Sequence, residues 1–211
     1  SRPDSHHLAV IGTGAQAEFQ FLATQAVLPI DTVSYFDLDD KAMTKFHKHL
    51  QGKADLRACS SIGAAIKDAD MIITATAAKA QKCLFEKEML KAGAHVHSMG
   101  GDCPGKTEMS PDLLKQCKIV VEYLPQSQQE GEIQNLPDVA VYGELWQLVS
   151  GALPGRTSDK ELTLFDSVGF ALEDFSILRL VYQLSETLNI GQPVNLIPTP
   201  TDPKDLYGVL F

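Results

Sequence analysis

The 211-residue sequence is poor in several features that mark specialised classes of protein. Its four cysteines are scattered without a C-x-x-C pair, which argues against a disulfide scaffold or a zinc site and favours a reducing compartment, the cytoplasm. No apolar run approaches the length that crosses a bilayer, so we expect no membrane partner. Lys and Arg number 18 against 27 Asp and Glu, and no face dense in Lys and Arg is visible. This balance argues against nucleic acid as a partner.

What the sequence does contain is an alternation of strand and helix patterns. Strand-like apolar runs are predicted at residues 8–12, 32–37, 56–59, 71–75, 95–99, 119–121 and 161–165. Helical patterns are predicted between them at 15–28, 40–51, 61–67, 86–92, 110–116, 142–149 and 170–188. Such alternation implies βαβ units and a doubly wound, mainly parallel sheet, which is a Rossmann-like α/β fold.

The first strand leads into a glycine-rich turn with the spacing G-x-G-x-x-A. Gly12 permits the tight turn, Gly14 lets a pyrophosphate approach the backbone, and Ala17 keeps the following helix close to the strand. The second strand ends in Asp37, near the offset at which a carboxylate accepts hydrogen bonds from the adenosine ribose. A carboxylate there repels a ribose phosphate, so the pattern favours NAD over NADP. The alternative for Asp37 is a strand-end carboxylate in water.

A second glycine-rich segment follows the strand at 95–99 and runs from residue 100 to 108 as G-G-D-C-P-G-K-T-E. We predict a direct strand-to-helix turn, with Ser110 as the N-cap of the next helix. In a parallel sheet, ligands bind at this edge, so Asp102 is a candidate for chemistry and Lys106 for contact with a ligand. Glu108 is interpreted as a carboxylate at the helix entry without a chemical role. An ordinary polar turn is the alternative for the whole segment.

Two other candidates are weaker. Cys103 adjoins Asp102, but no histidine lies near it in sequence to act as a base, so we interpret it as a small filler. His95 and His97 share one face of a strand, yet no third ligand lies nearby, and we predict no metal site.

With these segments in view, the sequence resembles the ornithine cyclodeaminase/μ-crystallin family, and within it most of all the cyclodeaminase branch. The resemblance covers essentially the whole chain and rests on residues 12–16, 100–108, 130–133, 153–156 and 165–174, of which the D-C-P-G-K run is the most specific. Members of the family have an additional N-terminal domain that carries the dimer interface and the Arg and Lys groups for the substrate carboxylate. The resemblance therefore implies that this chain is a cofactor domain, inactive alone, whose homodimer would form through the missing domain.

The implied activity is the NAD-dependent conversion of L-ornithine to L-proline and ammonia without net redox change, in proline biosynthesis and ornithine and arginine catabolism. Asp102 matches the catalytic aspartate of the family. The same matching places Ala15 and Gln16 against the pyrophosphate, Asp37 on the adenosine ribose, Thr76 and Gly100 along the cofactor, Lys106 at the phosphates or ribose, Ser167 at the nicotinamide amide and Val168 beside the substrate.

For the domain organisation we predict an NAD-binding Rossmann domain over residues 1–166. Residues 167–211 are predicted as a C-terminal helix and a proline-containing extended tail that would pack on the missing domain. Two alternatives for the function stay open: an NAD(P)-dependent alanine dehydrogenase or ketimine reductase of the same family, and a non-catalytic ligand-binding protein of the μ-crystallin type. The presence of Asp102 speaks against the second, because binding alone needs no carboxylate at the nicotinamide.

Overall fold

The computed structural model describes residues 1–77, 81–194 and 204. The strands of this part are β1 (His7–Ile11), β2 (Thr32–Phe36), β3 (Asp55–Ala58), β4 (Met71–Thr74), β5 (Gln81–Phe85), β6 (His95–Ser98), β7 (Thr107–Met109), β8 (Lys118–Val121), β9 (Val141–Glu144) and β10 (Thr163–Asp166). The helices are α1 (Ala17–Gln25), α2 (Asp40–Leu50), α3 (Ile62–Ile66), α4 (Pro111–Leu114), α5 (Leu124–Glu130), α6 (Leu145–Val149) and α7 (Ala171–Leu188).

Eight strands form the main sheet in the order β3-β2-β1-β4-β6-β10-β8-β9, and every neighbouring pair is parallel. The chain builds outward from β1 through β2 to β3, and then returns to place β4 on the other side of β1. The strand order therefore reverses between β1 and β4, and in such sheets a ligand crevice lies at the carboxyl ends of that pair. The predicted Rossmann-like α/β fold is confirmed.

Helices cover both faces of this sheet, as the alternation of side chains along β1 shows. Leu8 and Val10 pack in one cluster with Phe21 of α1 and Phe46 of α2. The intervening residues of β1 belong to a second cluster, on the opposite face, with Ile66 of α3. Because successive side chains of a strand point to opposite faces, a strand buried on both sides must be apolar throughout. The apolar sequence of β1 meets this requirement.

The segment predicted as one helix at 142–149 is a strand followed by a helix. Residues Val141–Glu144 form β9, an edge strand paired with β8, and only Leu145–Val149 are helical. The helix begins where Glu144 and Gln147 form a reciprocal capping box. The prediction of a single helix was wrong because an amphipathic pattern this short does not distinguish the two periods.

The predicted direct turn from β6 to α4 was also wrong. A short strand, β7, lies between them and pairs with β5 in a separate two-stranded parallel sheet. Glu108 is the central residue of β7 and is 2% exposed, so it is not a carboxylate at a helix entry. The start of α4 is as predicted, since the Ser110 hydroxyl accepts a hydrogen bond from the Leu113 amide at 3.2 Å and Pro111 opens the helix.

By internal contacts the chain divides into two compact units, residues 1–170 and 171–211. The described part of the second unit contains α7, which confirms the long helix predicted at 170–188; within that described part, no residue of α7 is buried. The roles predicted for residues 1–166 and 167–211 stay predictions, and three of the four prolines of the tail, Pro198, Pro200 and Pro203, lie outside the described residues. In the described ranges, no helix is both long and apolar enough to cross a bilayer.

Candidate functional site

The first glycine-rich turn joins β1 to α1 at the reversal of strand order. Gly12 has a φ of +93°, and a Cβ placed on it would lie 2.6 Å from the Ala75 carbonyl oxygen. Since that oxygen belongs to the backbone beyond β4, only glycine fits there. Gly14 differs, because no described atom lies within 4 Å of where its Cβ would be. Among the described residues nothing crowds position 14, and the turn is open there.

A cavity of about 350 Å³ lies in this crevice. Its lining brings together residues that the sequence predicted as cofactor contacts, namely Gly12, Gly14, Asp37 and Thr76, with Ile11, Phe36, Leu38, Ile62, Ala75, Ala77, Lys82 and Leu84. Ala15 and Gln16 are exposed beside it, and Gln16 is the N-cap residue of α1. The apolar walls and the few polar groups are typical of a nucleotide site.

Two polar side chains, Asp37 and Lys45, fix this end of the crevice. The Asp37 carboxylate accepts hydrogen bonds from the Thr13 amide at 2.6 Å, from the Thr13 hydroxyl at 3.1 Å and from the Asp39 amide at 3.0 Å. The Lys45 ammonium donates to the Gly14 carbonyl at 3.0 Å and pairs with Glu18 at 2.8 Å. Lys45 escaped the sequence analysis because it lies on α2, and only the fold brings it to the turn.

The second glycine-rich segment carries a hydrogen-bonded chain that reaches the cavity. The Lys106 ammonium, with a 7% exposed side chain, donates to an Asp102 carboxylate oxygen at 3.0 Å and to the Thr76 carbonyl at 3.0 Å. The Asp102 side chain is 50% exposed and so is accessible to a substrate. Thr76 lines the cavity, so Lys106 links the cavity wall to Asp102. Lys106 is buried and paired, which contradicts the notion of a polar turn in water.

Glu108 is the residue here whose importance the sequence analysis missed. Its carboxyl group accepts a hydrogen bond from the Thr76 hydroxyl, and burial raises its pKa above the ordinary value. A Cβ on Gly100 would lie 1.9 Å from this carboxyl group. Gly100 was predicted along the cofactor, and that role stays a prediction; the structure gives a different reason for the glycine. The sequence offered no signal for this burial, because residues 107–109 form a strand without alternating exposure.

Two more buried carboxylates extend this arrangement behind the segment. Glu132 accepts hydrogen bonds from the backbone amides of Glu108 and Met109, each at 2.9 Å, and from the Ser98 hydroxyl at 2.9 Å. Asp166 accepts from the Glu132 amide at 3.0 Å. Burial raises the pKa of Glu132, and it raises the pKa of Asp166 to about 7. The cluster is therefore anchored largely by backbone donors rather than by cations.

The turn after β10 holds the two residues predicted at the nicotinamide and the substrate. The Glu122 carboxylate accepts hydrogen bonds from the Ser167 hydroxyl at 2.7 Å, from the Val168 amide at 2.9 Å and from the Gly169 amide. Glu122 itself is 8% exposed. A buried carboxylate thus fixes the Ser167–Gly169 backbone; the predicted contacts of Ser167 and Val168 with ligands stay predictions.

The histidines and cysteines form no further site in the part of the chain that is described. The His95 ring is 2.8 Å from the Thr163 hydroxyl, and the His97 ring packs against Phe165 with centroids 5.2 Å apart. Cys59, Cys83, Cys103 and Cys117 are all free thiols. Within the described ranges, no group of three or more His, Cys, Asp and Glu side chains is placed to hold a metal ion.

Comparison with known proteins identifies relatives whose sequences match this chain over nearly its whole length. Ornithine cyclodeaminase from Brucella suis biovar 1 is 46% identical over 205 residues, which are 97% of this chain and 57% of that protein. Ornithine cyclodeaminase from Agrobacterium fabrum is 44% identical over 212 residues, 100% of this chain and 60% of that protein. The chain therefore spans under two thirds of the length of these curated relatives.

Solved structures give the same picture. A lysine cyclodeaminase, studied for its recognition of L-lysine, L-ornithine and L-2,4-diaminobutyric acid, is 31% identical and superposes with a TM-score of 0.85 over 98% of this chain and 60% of its own. An archaeal alanine dehydrogenase dimer with bound NAD is 30% identical, with a TM-score of 0.84 over 93% of this chain and 62% of its own.

A model of the ornithine cyclodeaminase/mu-crystallin family matches residues 1–188. The match includes both glycine-rich turns, the cavity between β1 and β4, and the carboxylates of the second segment. The resemblance predicted from the sequence is confirmed: the chain belongs to the ornithine cyclodeaminase/mu-crystallin family.

Proposed function

We propose that this chain is the NAD-binding part of an ornithine cyclodeaminase, which converts L-ornithine to L-proline and ammonia. The observation that carries the proposal is the Asp102–Lys106 pair, held at the carboxyl edge of the sheet and linked to the cavity wall through Thr76. Membership of the family and identities of 46% and 44% to two ornithine cyclodeaminases support it. The substrate rests on these relatives alone.

The cofactor of the proposal is NAD, and the residues of the crevice fit it. Gly14 leaves open space next to the exposed Ala15 and Gln16 at the start of α1, where helix amides favour a pyrophosphate. Asp37, oriented by Thr13, would accept the adenosine ribose hydroxyls and would repel a ribose phosphate. Thr76 and Gly100 would border the remainder of the cofactor. When bound, NAD supplies reversible oxidation at the α-carbon of the amino acid.

Asp102 would move a proton on the substrate nitrogen. The carboxylate would take a proton from the δ-ammonium group of ornithine, and the free amine then becomes a nucleophile. Its negative charge would also favour a cationic intermediate in the substrate. Lys106 would orient the carboxylate through the 3.0 Å contact rather than react itself.

Ser167 and Val168 would contact the nicotinamide amide and the substrate. Glu122 supports this role because it fixes the backbone of Val168 and Gly169 as well as the Ser167 hydroxyl. A turn restrained at three points can present one rotamer to a ligand at little entropic cost. The proposal also includes a cytoplasmic homodimer, whose interface and carboxylate-binding cations would lie in the part of the relatives that this chain does not span.

The second candidate is an amino-acid dehydrogenase of the same family. An alanine dehydrogenase from Archaeoglobus fulgidus is 31% identical over 206 residues, so the two activities share this scaffold. They differ in cofactor balance, because a dehydrogenase produces one NADH for each amino acid, whereas a cyclodeaminase regenerates its NAD⁺. A non-catalytic binding protein would form no product.

The test uses the complete gene product, incubated with L-ornithine and a trace of NAD⁺. Ammonia and proline far in excess of the NAD⁺, with no lasting NADH, are expected. Stoichiometric NADH without proline would contradict the proposal in favour of a dehydrogenase, and no product with any diamino acid would favour a binding role. Asp102→Asn should abolish turnover and leave NAD affinity largely unchanged; surviving activity would contradict the role of Asp102.

A further inference from the structure

Three glycines around the second turn each face a buried carboxylate. A Cβ would lie 1.9 Å from the Glu108 carboxyl group at Gly100, 2.5 Å from Glu132 Oε1 at Gly101, and 2.4 Å from Asp166 Oδ2 at Gly131. Contacts this short do not occur for real side chains, so these carboxylates fill the volume that the glycines leave. The Gly100-Gly101 pair before Asp102 thus accommodates acidic side chains of the protein itself.

Glu108 is the member of this group that touches the cavity wall. It is 2% exposed, receives the hydroxyl hydrogen bond of Thr76, and lies within electrostatic range of Lys106 and Asp102. Thr76 is consequently held at two points, by Glu108 at its hydroxyl and by Lys106 at its carbonyl. The same lysine holds Asp102.

This geometry distinguishes Glu108 from an acid that only stabilises the fold. Removing its carboxyl group would free the Thr76 hydroxyl and open space against Gly100. It would thereby loosen both ends of the hydrogen-bonded series that runs from Thr76 through Lys106 to Asp102. Because a displacement of about 1 Å can lower the rate of a catalysed step about a hundredfold, small shifts here matter. Glu132 fixes the backbone of Glu108 but has no contact of this kind with Thr76.

We propose that Glu108 is a positioning residue, which fixes Thr76 and Gly100 and through them the place of the Asp102–Lys106 pair. For its effect on turnover this inference rests on the proposed cyclodeaminase function. For its effect on the geometry of the segment it rests only on the contacts of Glu108.

The geometric part is tested by hydrogen exchange on the chain itself, without substrate. The Gly105 amide donates a hydrogen bond to Gln134 Oε1 at 2.7 Å and the Lys106 amide donates to the Cys103 carbonyl at 3.1 Å, which should slow their exchange. In Glu108→Ala these amides should exchange faster, whereas amides of β1 and β2 should keep their protection. Glu108→Gln, which retains shape and an acceptor for Thr76, should restore most of it. Unchanged exchange near residue 105 in Glu108→Ala would overturn the proposal.

Thr76→Val provides a second variant if Glu108→Ala does not fold. It removes the hydroxyl donor with little change in volume, and it should raise exchange at the same amides. If Thr76→Val leaves their exchange unchanged, Glu108 does not act through Thr76; if Gly100→Ala, which would displace the Glu108 carboxyl group, leaves it unchanged as well, the proposal fails.

The catalytic part is tested on the complete gene product. In Glu108→Ala we expect kcat to fall about tenfold to a hundredfold while the Kd for NAD changes less than about threefold. The control is Asp70→Asn, which removes the negative charge of a buried carboxylate that pairs with Arg2 and Lys91 at the opposite, amino-terminal end of β4. It should lower the melting temperature and leave kcat unchanged.

The outcomes separate the two proposals. Loss of kcat in Glu108→Ala beyond the control, with recovery in Glu108→Gln, supports the positioning role. A lower melting temperature with wild-type kcat would reduce Glu108 to a stabilising residue. If the wild-type protein does not convert L-ornithine, the proposed function fails, and the exchange experiment still decides whether Glu108 orders the segment.

Discussion

Gly14 in the turn after β1 and Gly100 in the turn after β6 occupy similar places at the carboxyl edge of one sheet, yet their surroundings differ. Around Gly14 no described atom lies within 4 Å of the position that a Cβ would take, and its φ is not positive. Gly100 faces the Glu108 carboxyl group at 1.9 Å from the same position. One glycine borders open space, and the other leaves space for a side chain of the chain itself.

The difference separates binding from positioning. A turn that is open toward solvent contributes little to stability and can be changed without unfolding the protein. A turn that encloses buried carboxylates couples stability to the geometry of Asp102. A substitution in the first turn should therefore leave the free energy of unfolding nearly unchanged, and a substitution in the second turn should leave the affinity for NAD nearly unchanged.

The largest effect is expected for Gly100→Ala. The new methyl group would displace the Glu108 carboxyl group from Thr76, and overpacking of this kind costs about 1–3 kcal/mol of unfolding free energy. Urea unfolding of the single variants and of Gly100→Ala/Glu108→Ala measures it. The second substitution should cost less when the first is present, because the two residues share one volume. Additive costs would show that the contact is not the cause.

Gly14→Ala should have the opposite profile. Its unfolding free energy should stay within about 0.5 kcal/mol of wild type, because the position is exposed and unobstructed. Affinity for NAD, measured by titration calorimetry, should fall at least about tenfold, which corresponds to about 1.4 kcal/mol. Undiminished affinity would mean that the cofactor does not approach this backbone.

The carboxylates behind the second turn should make stability depend on pH. Burial raises the pKa of Asp166 in the folded protein to about 7, from 3.8. The folded state thus binds the proton of Asp166 more tightly than the unfolded state does. The resulting contribution to the free energy of unfolding is complete below pH 3.8 and is lost as the pH rises through 7. Going from pH 5 to pH 8, wild type should lose at least about 1 kcal/mol relative to Asp166→Asn in urea unfolding.

Another group titrates in the same range with the opposite sign. Burial lowers the pKa of His97 to about 4, so its contribution is lost as the pH falls below 6.5. His97 is present in both proteins, and its contribution therefore cancels in the difference between wild type and Asp166→Asn. Parallel pH curves for the two proteins would exclude a raised pKa at Asp166.

The smallest effect is expected for Lys45→Met in the first turn. The ammonium group holds the Gly14 carbonyl but is partly exposed and paired with Glu18, so stability should change by less than about 0.5 kcal/mol. NAD affinity should fall about threefold, because the turn would be less ordered and one positive charge near the phosphates of NAD would be lost. Lys48→Met, on the same helix, is the charge-matched control and should bind NAD as wild type does.

Much of the fold was predictable because its signals are local. The spacing of Gly12, Gly14 and Ala17 between a strand and a helix, and the Ser110-Pro111 helix start, specify backbone conformations within a few residues. Short elements were less predictable. The strand β4 is equally short, but its sequence, MIIT, is a nearly continuous apolar run. The strands β7 (TEM) and β9 (VYGE) have no such run, and their pairing with a neighbouring strand decides their conformation.

The residues of the candidate site differ in the same way, because some have a local signal in the sequence and others have none. Of the residues predicted at the cavity, Gly12, Gly14 and Asp37 follow from a motif with fixed spacing, and Thr76 follows from the family resemblance. Glu108, Glu132 and Asp166 are distant from one another in sequence, and ordinary statistics place carboxylates at the surface. No local sequence pattern predicts their burial, because the amides and hydroxyls that donate hydrogen bonds to these carboxyl groups come from other segments.

By itself the sequence determined the parallel α/β architecture, the place of the nucleotide crevice and the identity of Asp102 as the candidate acid or base. Each depends on backbone geometry that a few neighbouring residues dictate. Only the tertiary structure decided which glycine borders open space and which faces a buried acid, and what holds Asp102 in place. Those properties depend on atoms brought together from the segment after β4, from β7 and from the turn after β6. A carboxyl group is buried, at a cost in free energy, only once these segments have enclosed it.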